Sequence, residues 1–447
     1  MPKAKNVTTI ILKKLTKKVT TILFFILASL NGMAQQILSL SDAVNIALKN
    51  SLDIKIAENE LLTSHVSNHI SVAGGLPNVS GTITNNHSLN NLTQDLSNGT
   101  KTQRNNVSNN SFSAGITGSF VLYNGLRVMA TKERLATLEQ QSEILVNEQV
   151  QNIISAVMIK YYEIVRQQGY LKTISEALSV TLQRKRLIEI KQSVGLANNA
   201  DRFQAELDST ASLQDIRSQQ LILDQAKADL LNLLNLRPDS SIAINDTIIV
   251  DTFINKDSIV RKVNLHPQML ASEKQIRINE LIAKETGSQR YPFVVLNGGY
   301  NLNRNQNTAG LTLLNQTIGP FVGLGLTMPI FNGGLLKRQM QVADINTKNA
   351  RYIRQQTFNS LQTEVAKSFQ AYQNSLAQLH TEKENAVVAA ALLDLVYQRY
   401  ELGVGTVLDL KAAQQSYVEA GFRLVNLSYA SKIAEIQLKR LANTLAP

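Results

Sequence analysis

The sequence contains no cysteine. That excludes disulfides, thiolate metal sites, catalytic thiols and acylation of an N-terminal Cys, so the mature chain is expected not to be lipidated. Beyond Leu30 no apolar stretch approaches the ~18 residues that a membrane-crossing helix needs. A complete metal motif is missing as well. His65 and His69 stand four apart on a predicted helix, but no Glu completes an H-E-x-x-H pattern and no third ligand is evident. His87, His266 and His380 are isolated. Gly298-Gly299 and Gly323-Leu324-Gly325 fall in predicted strands with no following helix to hold a phosphate, so they read as close backbone packing. The Asp, Glu and Ser residues show no catalytic spacing. No enzyme activity, cofactor or resident metal is expected.

The formal net charge is +11, but six lysines and no acidic residue lie within residues 1–34, which leaves +5 for the remainder. A nucleic-acid reading thereby loses its support. Lys13, Lys14, Lys17 and Lys18 precede the apolar run from Val19 to Leu30, and Gly32-Met33-Ala34 offers small residues for cleavage. Basic, apolar, then small is the layout of a secretory signal peptide, with a mature start expected at Gln35. A retained membrane anchor is the alternative.

What the chain does have is duplication. Val194-Gly195-Leu196 followed by Asp201 lies 208 residues before Gly403-Val404-Gly405-Thr406 followed by Asp409, counted from Gly195 to Gly403. Tyr123-Asn124-Gly125 and Phe331-Asn332-Gly333 are separated by the same 208. From each Asn to the later turn there are 71 steps, enough for a helix of about 105 Å. Residues 42–73 and 258–289 read as a helix in each copy, ended by Pro77 and Pro292. Their offset is 215, so the first copy carries seven extra residues before Asn124. Residues 85–110, dense in Asn, Ser, Thr and Gln, read as the loop that holds them.

Short alternating segments flank each loop. Phe112, Ala114, Ile116, Gly118, Phe120 and Leu122 share one face; Ile318, Pro320, Val322, Leu324, Leu326 and Met328 repeat this. Val294, Leu296, Tyr300 and Leu302 form a third set, Val79 and Ile83 a fourth. Period-two segments of about 9–11 residues fit transmembrane β-strands. The other reading is a sheet laid on a soluble core. Tyr123, Tyr291, Phe293 and Phe331, near segment ends, favour a membrane girdle. Four strands cannot close, and lipid tolerates no open edge, so copies of the chain are expected to share a barrel. Two copies would give about 8 strands with a filled interior, three about 12 with a lumen.

The long segments read as coiled coil. Ile153, Val157, Tyr161, Ile164, Leu171, Ile174 and Leu178 recur at threes and fours, as do Leu361, Val365, Phe369, Tyr372, Leu376 and Leu379. Return helices are expected over 202–236 and 410–445; with the shorter helices they tile the length of one long helix, roughly 101 Å. The chain thus divides into a signal (1–34), a first repeat (35–236), an equatorial linker (237–257) with alternating Ile242, Ile244, Ile248 and Val250, and a second repeat (258–447). Each repeat holds a helix, two β-strands, a long helix and a return helix.

These landmarks resemble those of the outer-membrane efflux proteins of the TolC family, over essentially the whole mature chain. Arg399-Tyr400-Glu401-Leu402-Gly403, continuing through Thr406, Asp409 and Ala413-Gln414, carries the likeness most strongly. Val194-Gly195-Leu196 with Asp201 and Pro329-Ile330-Phe331-Asn332-Gly333-Gly334 follow. The resemblance implies a homotrimer with a 12-stranded barrel, an α-helical periplasmic tunnel and a small mixed α/β equatorial region. It implies partners too: a periplasmic adaptor (membrane fusion) protein and an inner-membrane pump of resistance-nodulation-division, ABC or major facilitator type. It also implies a passive exit duct for efflux or type I secretion.

By the same resemblance, Val194, Gly195, Leu196, Gly403, Val404, Gly405 and Thr406 would dock the adaptor. Their glycines are expected at φ > 0 to reverse the helix, a role compatible with docking. Asp409 falls where an acidic ring constricts the entrance, and Tyr400 and Asp201 fall where coils are tied in the closed state. Capping of the return helices is the competing role for both aspartates. Asn124, Gly125, Asn332 and Gly333 mark strand-to-helix junctions. Gly405 stands where relatives have a latch Arg, and Ala412, beside Lys411, where they have a second acidic ring, which implies a weaker latch and lower cation selectivity. The reading from a different class is a periplasmic coiled-coil scaffold or adaptor without a pore.

Overall fold

The structure, a computed structural model, describes residues 36–445. The expected signal peptide and its cleavage point lie outside them. Among the described residues no helix is long and apolar enough to cross a membrane.

The chain opens with β1 (Gln36–Ile37), α1 (Leu40–Asn50) and α2 (Leu52–Ser67). The single helix expected over 42–73 is therefore broken and shorter. Ser51 takes ψ 125° and closes α1, its N–H bonded to the Ala47 carbonyl at 2.8 Å. The second repeat breaks at the equivalent place. There α5 (Lys256–Lys262) and a 3-10 turn lead to His266 at ψ 136°, and Pro267 starts α6 (Pro267–Ser288). A residue before proline is pushed to extended backbone. Ser51 adopts that conformation without a proline after it.

The long helices are α3 (Arg127–Ser193) and α7 (Leu335–Glu401), 67 residues each. The return helices α4 (Asn199–Leu233) and α8 (Val407–Leu441) have 35 each and begin three residues before the expected starts. The reason is the cap. Asn198 and Thr406 are the N-caps, and Asp201 and Asp409 sit at N3, closing a capping box in each helix. The far ends match as well. Asn235 and Asn443 both take φ 53°, and the residue after each donates its N–H five residues back at 2.9 Å, to Leu231 and Lys439. Such left-handed C-terminal motifs satisfy the last carbonyls.

Strands β2 (Asn78–Asp95), β3 (Lys101–Tyr123), β5 (Phe293–Asn307) and β6 (Leu314–Thr327) form one antiparallel sheet in the order β2-β3-β5-β6. The loop expected over 85–110 is a correction: Asn85 pairs with Phe112 and the ladder runs to Asp95 opposite Lys101, with one register shift between Asn90 and Leu92. Strand lengths of 18, 23, 15 and 14 residues accordingly exceed expectation. A ladder is held by backbone groups, which Asn, Ser and Thr supply as well as Val does; a stretch polar on both faces hides its strand character from pattern.

Register aligns the alternation of all four strands. Ile83, Ala114, Leu302 and Ile318 form one cross-strand row, and Gly81, Ile116, Tyr300 and Pro320 the next. Phe120, Leu296 and Leu324 extend the same face. The opposite face carries Thr84, Ser113, Asn303 and Thr317, with the Ser113 hydroxyl donating to the Asn303 side chain.

Packing divides the chain into two units that cut across the repeats. Of the described residues, one comprises 36–52, Gln151–Ile259 and 365–445; the other comprises Asp53–Val150 and Val260–Glu364. In the first, Tyr161, Ile164, Leu230, Leu234, Ile436 and Leu441 are fully buried, and the expected coil positions Ile153, Val157, Val365 and Tyr372 are buried too. In the second, Met269 and Leu281 are the largest buried side chains and the sheet's apolar face is exposed. The linker forms β4 (Ile242–Ala243), parallel to β1, and then an extended strap. Lys432 Nζ donates to the Ile249 carbonyl at 2.8 Å and Glu435 accepts from the Asp251 N–H at 2.9 Å, which fixes that strap on α8.

Candidate functional site: the turns between long and return helices

Each long helix reverses within a few residues. At Gly195 (φ 79°) the next N–H, from Leu196, reaches the Lys191 carbonyl at 2.7 Å; at Gly403 (φ 77°) Val404 reaches Arg399 at 3.0 Å. Only a residue without Cβ takes this conformation cheaply. Gly405 differs from expectation. It is not among the positive-φ residues, but a Cβ there would stand 3.0 Å from the Tyr400 backbone nitrogen, so its role is close approach. Val194, Leu196, Leu402, Val404 and Leu408 are all strongly exposed, an apolar patch that a return turn alone does not require.

Asp409 accepts from the Thr406 hydroxyl at 2.8 Å and from its N–H at 3.2 Å, and these bonds hold its carboxyl below the usual range. Asp201 accepts from the Asn198 N–H at 3.3 Å. Tyr400 is buried among Leu393, Leu410 and Ala413, with Val180, Leu187 and Tyr417 around them, and Lys191 Nζ lies 5.2 Å from its ring centre. Burial pushes its hydroxyl up, and the Asp201 charge adds to this against the opposing Arg184 guanidinium. Among the described residues no hydrogen bond joins Tyr400 to Asp201, so within one chain the two communicate through charge alone.

Sequence reasoning missed an ionic cluster above the turns. Asp208 on α4 accepts from the Arg184 guanidinium on α3 and from Lys411 Nζ on α8, the latter at 2.8 Å. Gln204 adds a bond at 2.9 Å. Burial works to raise the Asp208 carboxyl, but the donors from Lys411, Arg184 and Gln204 outweigh it and hold it low. The one available signal was spacing: Asp208 is two helical turns beyond Asp201 and on the same face. Close by, Gln414 donates to the Ala177 carbonyl at 2.8 Å and the Thr181 hydroxyl at 2.7 Å. The Tyr417 hydroxyl, pushed up to about 12 by burial and the Glu176 carboxylate, donates to Glu176.

The other candidates lie apart. Asn124 Oδ1 accepts from the Val128 N–H at 3.3 Å, and Gly125 and Gly333 take φ 69° and 65° where strand gives way to helix. His65 Nδ1 pairs with Glu139 at 2.6 Å while His69 Nδ1 engages the Ser71 hydroxyl at 2.7 Å, so the two histidines face different partners.

Residues 261–444 match the family model described as outer membrane efflux protein. The second repeat is what resembles this family. Its members are channels rather than enzymes. The outer membrane protein TolC of Vibrio cholerae is 22% identical over 309 residues, which cover 66% of this chain and 68% of that protein. The TolC protein of Escherichia coli is 26% identical over a shorter 147 residues, 33% of this chain and 30% of its own length. The crystal structure of the outer membrane protein VceC from Vibrio cholerae superposes with a TM-score of 0.72 at 18% identity, over 90% of this chain and 96% of that one. The Campylobacter jejuni CmeC outer membrane channel gives 0.73 at 17% identity, over 91% and 85%. At such identities the structural likeness establishes the efflux-channel fold; the chemistry of the turns belongs to this chain's own residues.

Proposed function

We propose that the chain is the outer-membrane channel-tunnel of a tripartite efflux or type I secretion system. Three copies, each giving four strands, close a 12-stranded barrel whose helices continue into the periplasm. The observation that carries this reading is the sheet. One face is apolar in cross-strand rows, the other is polar, and β2 and β6 are left as open edges. In lipid those edges must be paired, and pairing β2 of one copy with β6 of the next satisfies them without new secondary structure.

The duct is passive. An inner-membrane pump of resistance-nodulation-division, ABC or major facilitator type supplies the energy, and a periplasmic adaptor links it to the exposed patch around Val194, Leu196 and Val404. Tyr400, Asp201 and Asp409 form the gate, with Asp409 constricting the entrance and the Asp201 charge acting on Tyr400. A signal peptide over 1–34 delivers the chain without lipidation.

Fractionation of cells expressing the chain tests this: an outer-membrane, heat-labile trimer on native gels that forms conducting pores in planar bilayers is expected. A soluble species without conductance would favour the coiled-coil scaffold. For the gate, Tyr400→Phe should raise the conductance of the isolated channel; unchanged conductance removes its hydroxyl from the gate.

A further inference from the structure

Helices α3 and α8 meet along a seam within one packing unit, and its contacts change character along its length. At one level the helices are pressed together through glycine. A Cβ on Gly421 would stand 2.6 Å from Thr173 Cγ2, and one on Gly169 would stand 2.9 Å from Val425 Cγ2. Next to these, the Tyr170 and Phe422 rings meet at 4.6 Å between centres, tilted by 48°. On the side away from the turns, Arg166 of α3 lies 4.4 Å over the Tyr429 ring of α8 and bonds Asn426 at 3.5 Å.

Toward the turns the packing loosens. An open groove of about 590 Å³ runs there, lined by Ile174, Gln219, Ile222, Lys411, Gln414 and Phe422. The α3–α8 hydrogen bonds in this stretch are Tyr417 to Glu176, and Gln414 to Ala177 and Thr181, beside apolar packing of Val180 and Leu187 on the Leu410–Ala413 cluster. The last ionic tie before the turns is the Arg184–Asp208–Lys411 triad, which draws α3, α4 and α8 to a single carboxylate, with the apolar packing of Leu187, Tyr400 and Leu410 beyond it. The Arg184 side chain is only 3% exposed and its Nε has no partner, so Asp208 is the carboxylate that offsets its buried charge. Asp208 also screens two cations from each other. Without it, Arg184 and Lys411 would repel across the seam.

We propose that Arg184, Asp208 and Lys411 form a lock on the α3–α8 seam, and that the Gly169/Gly421 contact is the pivot about which the turn-side part of α8 swings when the lock releases. Fifteen residues of α3, roughly 22 Å, separate Gly169 from Arg184, so a small rotation at the pivot displaces the turn by several ångströms. That such motion opens a conduit rests on the channel reading above; that the seam has a pivot and a lock does not.

Amide hydrogen exchange on the purified full-length mature chain tests the inference. In Asp208→Asn, exchange should rise about tenfold over 177–193 and 407–417 while 155–168 and 425–435 stay unchanged, because only the lock side opens. Lys411→Gln should give a smaller rise in the same windows, since it frees α8 without creating repulsion. Gly421→Ala should raise exchange on both sides of residue 421. Unchanged exchange on the lock side in Asp208→Asn would overturn the lock, an equal rise on both sides would overturn its confinement, and a silent Gly421→Ala would overturn the pivot. Bilayer conductance of the same Asp208→Asn sample separates the two readings. Raised exchange without conductance in mutant or parent leaves the seam device standing and removes the channel.

Discussion

At the residue scale, the turns show two aspartates in one role and a third in another. Asp201 and Asp409 both sit at N3 of capping boxes, so the capping role read from the sequence lies one turn into each helix, with Asn198 and Thr406 as the caps themselves. Asp208 has no cap to serve and is held by cations from two other helices. Its depressed carboxyl has a consequence for pH. A group whose folded value is lowered contributes stability that is fully present above its unfolded value, near 3.9, and is lost as pH falls through the folded one. Arg184 and Lys411 are the charged groups facing it from α3 and α8. Acid below about pH 4 should therefore loosen the turn end of the α3–α8 seam before the rest of it, and exchange measured in the lock-side windows across pH 6 to 3 checks this. Tyr400 could be placed near these groups from sequence, but not its burial; that depends on Leu393, Leu410 and Val180 arriving from three helices.

At the element scale, helices were more legible than strands. The 208-residue offset between Gly195 and Gly403 reappears as paired helices of 67 and 35 residues with matching caps, because a helix is specified by local bonds and local end signals. The polar half of the β2–β3 hairpin was invisible for the opposite reason. Its pairs, such as Asn86 with Ser111, come from across the hairpin and leave no alternation to read. Sheet register also assigns a face to every strand position, and that assignment is testable. Ile83→Lys places a charge on the apolar face and should cost about 2–4 kcal/mol in a membrane barrel, whereas Thr84→Lys, one residue on and on the polar face, should be tolerated. Yield of heat-labile oligomer in the outer-membrane fraction distinguishes the two; equal yields would argue against lipid on that face.

At the scale of the whole molecule, the duplicated halves do not fold as two bodies. Each packing unit draws segments from both repeats, so the linker over 237–257 is more than a connection. Its strap is fastened by charge: Glu435, 2% exposed, accepts from the Asp251 N–H and from Lys432 and Lys439, at 2.7–3.0 Å. Tyr372 of α7 donates to the Asp251 carbonyl as well. Glu435→Ala would strand the buried Lys432 and should destabilise this unit by about 3–5 kcal/mol, read as a lower thermal midpoint, while Lys256→Ala at the exposed end of the linker should change little. The repeat pattern announced that the halves match. It carried no sign that the linker backbone at Asp251 would be bonded to both α7 and α8.

What the sequence determined by itself is the local order: where helices start and stop, that Gly195 and Gly403 reverse the chain, that strands alternate, and that the two halves are copies. These follow from short-range sterics and hydrogen bonding, which act over a few residues and leave a readable pattern. What only the tertiary structure decided is which distant residues share a face or a charge. The aligned row from Ile83 to Ile318 and the meeting of Arg184, Asp208 and Lys411 depend on register and helix packing. Such long-range choices are set by the summed fit of whole surfaces, and no single stretch of the chain encodes them.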